Sequence, residues 1–260
     1  MSKFFTTFVA FFGIIMKKIT KAQVKLIKSL QQKKFRDELG LFVAEGEKCV
    51  SELTKTFELV YRIQSTDHCV DRKQTDILLA SPTEIEQMSG LRTPQGVIGV
   101  FKKHSAVSIQ HSDLLLALDG VQDPGNLGTI IRTCDWFGVH DIVCSKDTAD
   151  CYNPKVVQAT MGALARVRVH YVDLPEWLAE QEKPIIGTLL EGRDMYECAL
   201  PKEGIIVMGN EGNGISQEVR KMITHPIRIP SYPKDAETSE SLNVSIATAI
   251  VLAEFRRTAD

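Results

Sequence analysis

The chain has 260 residues, of which 43% are apolar and 25% charged, and its formal net charge is −2. That length fits one large or two small domains, and the balance is that of an ordinary globular protein, not a disordered or fibrous one. Six cysteines, at positions 49, 69, 134, 144, 151 and 198, form no C-x-x-C pair; the spacing supports neither a zinc site nor a disulfide framework, and reduced thiols are expected.

The first feature in chain order is an apolar run over residues 4–15. It is too short to span a bilayer, which takes ~20 residues. Only Lys3 precedes it, while Lys17, Lys18 and Lys21 follow, the reverse of a signal peptide's charge order. Residues 1–16 are therefore expected to lie outside the fold, with no membrane association and a cytoplasmic protein. Eight basic residues and no acidic one then occupy positions 17–36. Such a run can neutralise phosphates, or it can be a solvated lysine-rich helix face. The wider balance leans the same way. Residues 17–103 carry 16 Lys/Arg against 11 Asp/Glu, and residues 104–260 carry 14 against 22.

Thr20 and Gln23 have capping-box spacing, followed by Val24, Ile27 and Leu30 at helical period. Strands are predicted at 41–44, 59–64, 77–80 and 96–102, with helices from Glu47 and from Ser81, where Pro82 takes the first helical position. These elements make a small α/β domain over 17–103. Residues 104–112 show no periodicity and are read as a linker.

From 113 to 260 the pattern becomes a repeated β–α alternation. Strands are predicted at 114–118, 141–144, 167–171, 185–189 and 205–208, and helices at 126–137, after Pro154, after Ser216 and at the end of the chain. Such alternation implies a mostly parallel sheet with helices on both faces. Within it, Asn126 follows the turn sequence Asp123-Pro124-Gly125, where a helix N-cap belongs. Arg132 lies opposite the Leu127, Ile130, Ile131, Cys134 stripe, so packing does not require it. Gly209, Gly212 and Gly214 follow an apolar strand and suit a close approach of the backbone to a ligand, or positive φ. A strand running into a glycine loop and a helix start is how open α/β sheets build a nucleotide-binding edge. Glu211, inside that loop, is either a surface carboxylate or a group that orients Arg132 or a substrate ribose. Ser241 and Asn243 open the last helix and can serve as caps.

Three segments in register carry a resemblance: Asn126, Gly128 and Arg132; Gly209, Asn210, Glu211, Gly212 and Gly214; and Ile229, Pro230, Ser241, Leu242, Asn243 and Val244. Together they resemble the SpoU (TrmH-like) family of RNA ribose 2′-O-methyltransferases, from about residue 114 onward. The sequence from Leu41 to Leu53 more weakly resembles the substrate-binding domain that many members carry. The resemblance implies a trefoil-knotted SPOUT domain and S-adenosyl-L-methionine as methyl donor. It implies catalytic roles for Arg132, Asn126, Glu211, Ser241 and Asn243. It places the cofactor at Gly209, Ile229 and Leu242, with Thr188 as a weaker candidate; on pattern alone Ile229 and Leu242 read as core residues. The substrate it implies is structured RNA, ribosomal in preference to transfer RNA. One departure is the loop between Pro230 and Ser241, ten residues without glycine, where the family has a shorter glycine-containing loop.

Alternatives are a transfer-RNA methyltransferase and a non-catalytic RNA-binding protein on the same fold; the intact Asn126, Arg132, Glu211 and Asn243 argue against the latter. No G-x-G-x-x-G fingerprint and no Walker-type loop is present, which disfavours a dehydrogenase or NTPase. The last helix carries Leu242, Ile246, Ala249, Ile250 and Ala253 on one stripe, broadened by Val244, Ala247, Val251 and Leu252. That much apolar circumference predicts burial on two sides, and with the resemblance it leads to a homodimer through the C-terminal domain.

Overall fold

The computed structural model describes residues 17–67, 77–104, 108–109, 112–210, 212–233 and 241–258. They fall into two units, one running to His104 and including Tyr152–Pro154, the other formed by Ser105–Cys151 and the chain from Lys155.

The first unit is built on β1 (Lys17–Lys18), β2 (Leu41–Glu45), β3 (Leu59–Ser65), β4 (Ile77–Ala80) and β5 (Val97–Lys102), with α1 (Lys21–Ser29), α2 (Lys33–Leu39), α3 (Glu47–Leu53) and α4 (Pro82–Met88). The sheet order is β1-β4-β3-β5-β2. β1, β4 and β3 run parallel, and β5 is antiparallel to both its neighbours. The predicted capping box at Thr20 is present, and the predicted Ser81 cap proves to be a second one. Gln23 Oε1 accepts the Thr20 N–H at 2.9 Å, and Glu84 Oε2 accepts that of Ser81 at 2.8 Å. Val24, Ile27 and Leu30 of α1 share one core with Ile85 and Met88 of α4.

Helix α2 escaped the periodicity because its seven residues carry only two apolar side chains. It changes the reading of the basic run. Arg36 is 2% exposed, and its Nη1 donates to the carbonyls of Leu30 at 3.0 Å and Gln31 at 2.9 Å, satisfying acceptors at the end of α1. Asp37 takes Lys33 at 2.8 Å and Lys103 at 2.6 Å. The run is therefore not one solvated face: Arg36 is structural and Lys33 is paired, while the lysines of β1 and α1 point outward.

The second unit contains β6 (Leu114–Leu118), α5 (Pro124–Trp136), β7 (Asp141–Ser145), α6 (Pro154–Thr160), a 3-10 turn at Ala163–Ala165, β8 (Arg168–Val172), α7 (Leu174–Ala179), β9 (Ile185–Asp194), β10 (Gly204–Met208), α8 (Gln217–Arg220), β11 (His225–Arg228) and α9 (Val244–Arg257). All six strands are parallel, in the order β11-β9-β10-β6-β7-β8. The central strands are buried on both faces, so they read as continuous apolar runs. Leu115, Ala117, Ile205 and Val207 pack with Leu174 and Leu178 of α7 and Val219 of α8. By alternation, Leu116, Leu118 and Cys144 face the other way. On that side Cys144 lies near Cys134 of α5; burial first, then the neighbouring thiols, push its pKa up.

Helix α7 and strand β11 were not predicted. The first has six residues, and the second buries only Ile227, so neither leaves a periodic trace. Strand β9 runs five residues beyond the predicted 189. Its register against β11 jumps from Gly187↔Pro226 to Arg193↔Ile227. The inward face of α9 is Val244, Thr248, Val251, Leu252 and Phe255, whereas Leu242 and Ile246 are 48% and 52% exposed. Among the described residues, no helix is long and apolar enough to cross a membrane.

Candidate active site

In a parallel sheet every strand ends on the same side, and a ligand crevice opens where the strand order reverses. Here the chain begins in mid-sheet at β6, proceeds outward through β7 and β8, and returns to fill β9, β10 and β11 on the other flank. The reversal falls between β6 and β10. The loops leaving their C-terminal ends are the Asp119–Asp123 turn and the glycine loop.

These loops are tied together by side chains. Asn210 Nδ2 donates to the Gly120 carbonyl at 2.6 Å, and its Oδ1 accepts the N–H groups of Gly212 at 2.8 Å and Asn213 at 3.1 Å. Asn210 and Gly214 also exchange two backbone hydrogen bonds, each 2.9 Å. Asp119, buried at the end of β6, accepts the Ser216 N–H at 2.7 Å, and Ser216 caps α8 through the Val219 N–H. Below them, Ser145 Oγ accepts the Gly120 N–H at 2.8 Å and donates to Asp147.

Gly214 has φ +66, as a loop glycine in the left-handed region should. Gly209 is needed for a different reason from the one expected. A Cβ there would stand 2.3 Å from Gly214 C and Ile215 N, so the missing side chain lets the loop fold back on its own backbone. Gly212 has no such constraint.

The start of α5 corrects the placement of Asn126. The N-cap is Asp123, whose Oδ1 accepts the Asn126 N–H at 2.8 Å, and Pro124 occupies the first turn. Asn126 is thereby inside the helix, with its side chain released from capping. Its Oδ1 accepts from Asn243 Nδ2 at 2.9 Å. Asn243 is itself the N-cap of α9, its Oδ1 accepting from Ser245 N–H, Ser245 Oγ and Ile246 N–H. The fold thus joins two of the predicted site residues across 117 positions of sequence.

Arg132 is exposed, while Leu127, Ile130, Ile131 and Cys134 are buried. Among the described residues it makes no hydrogen bond or ion pair. Ser241 and Leu242 are exposed immediately before α9. Leu242 is therefore not a core residue, because the inward stripe of α9 begins only at Val244. Ile229 is half-buried just past β11, and Thr188 Oγ1 donates to the Val207 carbonyl at 3.3 Å beside the end of β10. Glu211 lies outside the described residues. The pattern missed Asp119, Gly120 and Ser145, although an Asp-Gly directly after five apolar strand residues was a usable signal.

Comparison with known proteins agrees with this geometry. Residues 113–253 match the SpoU rRNA Methylase family, and residues 21–99 match the MRM3-like substrate binding domain. The chain is 30% identical over 254 residues to the 23S rRNA (guanosine(2553)-2′-O)-methyltransferase RlmP of Bacillus subtilis, spanning 93% of this chain and 100% of that protein. It is 36% identical over 176 residues to the 23S rRNA (guanosine-2′-O-)-methyltransferase RlmB of Neisseria meningitidis, covering 63% of this chain and 69% of the relative. Among solved structures, a TrmH-family protein from Porphyromonas gingivalis superposes with a TM-score of 0.82 at 36% identity, over 92% of this chain and 98% of that one. An AdoMet-bound rRNA methyltransferase from Sinorhizobium meliloti gives a TM-score of 0.80 at 30% identity, over 93% and 97%. Two domains matched in order, a full-length relative and a shared fold lead to one conclusion: this chain belongs to the SpoU rRNA methylase family.

Proposed function

We propose that this chain methylates a ribose 2′-hydroxyl of large-subunit ribosomal RNA, with S-adenosyl-L-methionine as donor. The observation that carries the reading is the joining of Asn126 to Asn243 at the same strand edge where Asn210 ties the glycine loop to Gly120. The rim fits such a cofactor. Leu242, 48% exposed, and the half-buried Ile229 offer apolar cover at an otherwise polar edge. When bound, the cofactor supplies a methyl group already activated on a sulfonium.

The chain's own task is alignment and proton handling. Arg132 acts on the ribose hydroxyl, either taking its proton or holding the oxygen or an adjacent phosphate through its guanidinium. Asn126 and Asn243 keep the starts of α5 and α9 together beside it. Glu211 and Ser241 complete the catalytic set, and Thr188 lines the cofactor side. Incubating large-subunit rRNA transcript with labelled cofactor, then mapping nuclease-resistant 2′-O-methyl dinucleotides, tests the reading. Label in a base, or none in RNA, would refute it.

Residues 17–103 serve to hold the RNA and residues 104–112 link the halves; the expectation for residues 1–16 lies outside the described residues. The active assembly is a homodimer through the C-terminal domain. Its contact is centred on the exposed Ile246 of α9 and Leu242 just before that helix, with Trp136 of α5, 84% exposed, as a second anchor. Acting on ribosomal RNA, the enzyme works in the cytoplasm.

A further inference from the structure

We infer that the groove between α1 and α4 is a clamp for the phosphodiester backbone of RNA, formed by Lys21, Lys25 and Lys28. The inference rests on RNA being the substrate, and it specifies which face of the first unit meets it and through which chemistry.

The three α1 lysines recur at i, i+4 and i+7, one above another on a single helix face. With a 1.5 Å rise per residue the row is about 10 Å long. All three are exposed and, with Val24, Glu84 and Gln87, line a groove of about 430 Å³. Helix α1 has no acidic residue, so no i,i+4 partner neutralises the row. The acid across the groove is already committed: Glu84 Oε2 accepts from both the Ser81 N–H at 2.8 Å and Ser81 Oγ at 2.9 Å.

Those two bonds from Ser81 hold the Glu84 carboxyl below its ordinary pKa, so it stays an anion bound to its own helix start. By contrast, Lys33, Lys55, Arg62, Lys102 and Lys103 of the same unit each have a carboxylate partner, and Arg36 is buried on carbonyls. None of the three groove lysines makes an ion pair among the described residues, and the charge near Glu84 is that of Lys18 of β1. Among the described residues, the row of Lys21, Lys25 and Lys28 is left without a carboxylate partner, and it sits in a concave groove. Ammonium groups on flexible stems bind phosphates as point charges and read no sequence. The groove accordingly supplies affinity and register, and target choice is made elsewhere.

The test uses the full chain and the triple variant Lys21→Gln, Lys25→Gln, Lys28→Gln, with the matching triple Lys→Arg variant as charge-preserving control. Affinity is measured by filter binding between about 50 and 200 mM salt, on large-subunit rRNA transcript and separately on poly(U). The Gln variant should bind both RNAs more weakly, with a slope of log K against log[salt] shallower by about 2 to 3. The Arg variant should keep the wild-type slope. Unchanged melting and unchanged S-adenosylmethionine affinity guard against misfolding. A wild-type slope in the Gln variant, an equal loss in the Arg variant, or no binding of either RNA by the wild type would overturn the clamp. Failure of the wild type to methylate rRNA while the poly(U) slopes still separate would refute the proposed function and leave the clamp standing.

Discussion

Asn243 Nδ2 donates to Asn126 Oδ1 at 2.9 Å, so one side chain caps α9 and also fastens it to α5. Asn126→Asp keeps an acceptor for that bond and Asn126→Ala does not. The Ala variant should lose about 1 kcal/mol and the Asp variant less. Asn243→Ala removes cap and link together and should cost about 1 to 2 kcal/mol. A double-mutant cycle in denaturant should return a coupling between the two positions; strict additivity would mean that the bond contributes nothing.

Arg132 is the group whose loss should separate chemistry from folding. It is exposed and off the buried stripe of α5. Arg132→Ala is expected to melt within about 0.5 kcal/mol of wild type while its methyl-transfer rate falls on the order of 10²- to 10³-fold. Wild-type turnover would return Arg132 to the ordinary surface.

The glycine loop should respond to position and not to glycine content. Gly209→Val places side-chain carbon where Gly214 C and Ile215 N already lie at 2.3 Å, so it should both destabilise the unit and abolish cofactor binding in calorimetry. Gly212→Ala meets only Asn210 Oδ1, at 3.5 Å, and should bind normally. Equal behaviour of the two variants would rule out this account of the loop.

Asp37 makes the first unit sensitive to acid. Hydrogen bonds from Lys103 and then Lys33 bring its carboxyl from the ordinary 3.8 down to about 2. A lowered folded-state pKa means that the contribution is present above pH ~4 and lost as pH falls toward ~2. The carboxylate is 46% exposed, so after screening the effect is about 1 kcal/mol or less. Wild type and Asp37→Asn should therefore converge in stability on acidification; a constant gap between them would show that the pairing is not the cause.

The homodimer is tested at Ile246. Light scattering of the full chain at micromolar concentration should give twice the chain mass, and Ile246→Glu should give the single-chain mass. A wild-type monomer would end the proposal.

The strands that build the two sheets were legible because most are buried on both faces and read as apolar runs. β11 and α7 were not, because one buries a single residue and the other is less than two turns long. At the site, the motifs named residues that the fold brings to one edge of the sheet, but not the local reason for each. Asn126 looked like a cap because a turn sequence precedes it; the acceptor that could cap from one residue before Pro124 was Asp123. Leu242 looked like core because it is apolar and beside a helix, yet burial depends on which stripe of α9 turns inward. The support from Asp119 and Ser145 is long-range, with partners 97 and 25 residues away, and no local pattern encodes such distances.

The two long helices α5 and α9 also point the same way. Their starts meet at Asn126 and Asn243, and at the far end Arg256 Nε donates to the Phe137 carbonyl at 2.7 Å, with the Gly138 carbonyl accepting from the same guanidinium. Aligned peptide dipoles therefore place two partial positive poles at one edge of the sheet, and Arg256 offsets the two negative poles at the other. The half of the chain that carries 14 basic against 22 acidic residues would repel a polyanion over most of its surface. At this one edge the two helix starts favour an anion within their first turns, so a phosphate of the substrate strand is drawn to the side on which the reacting groups stand.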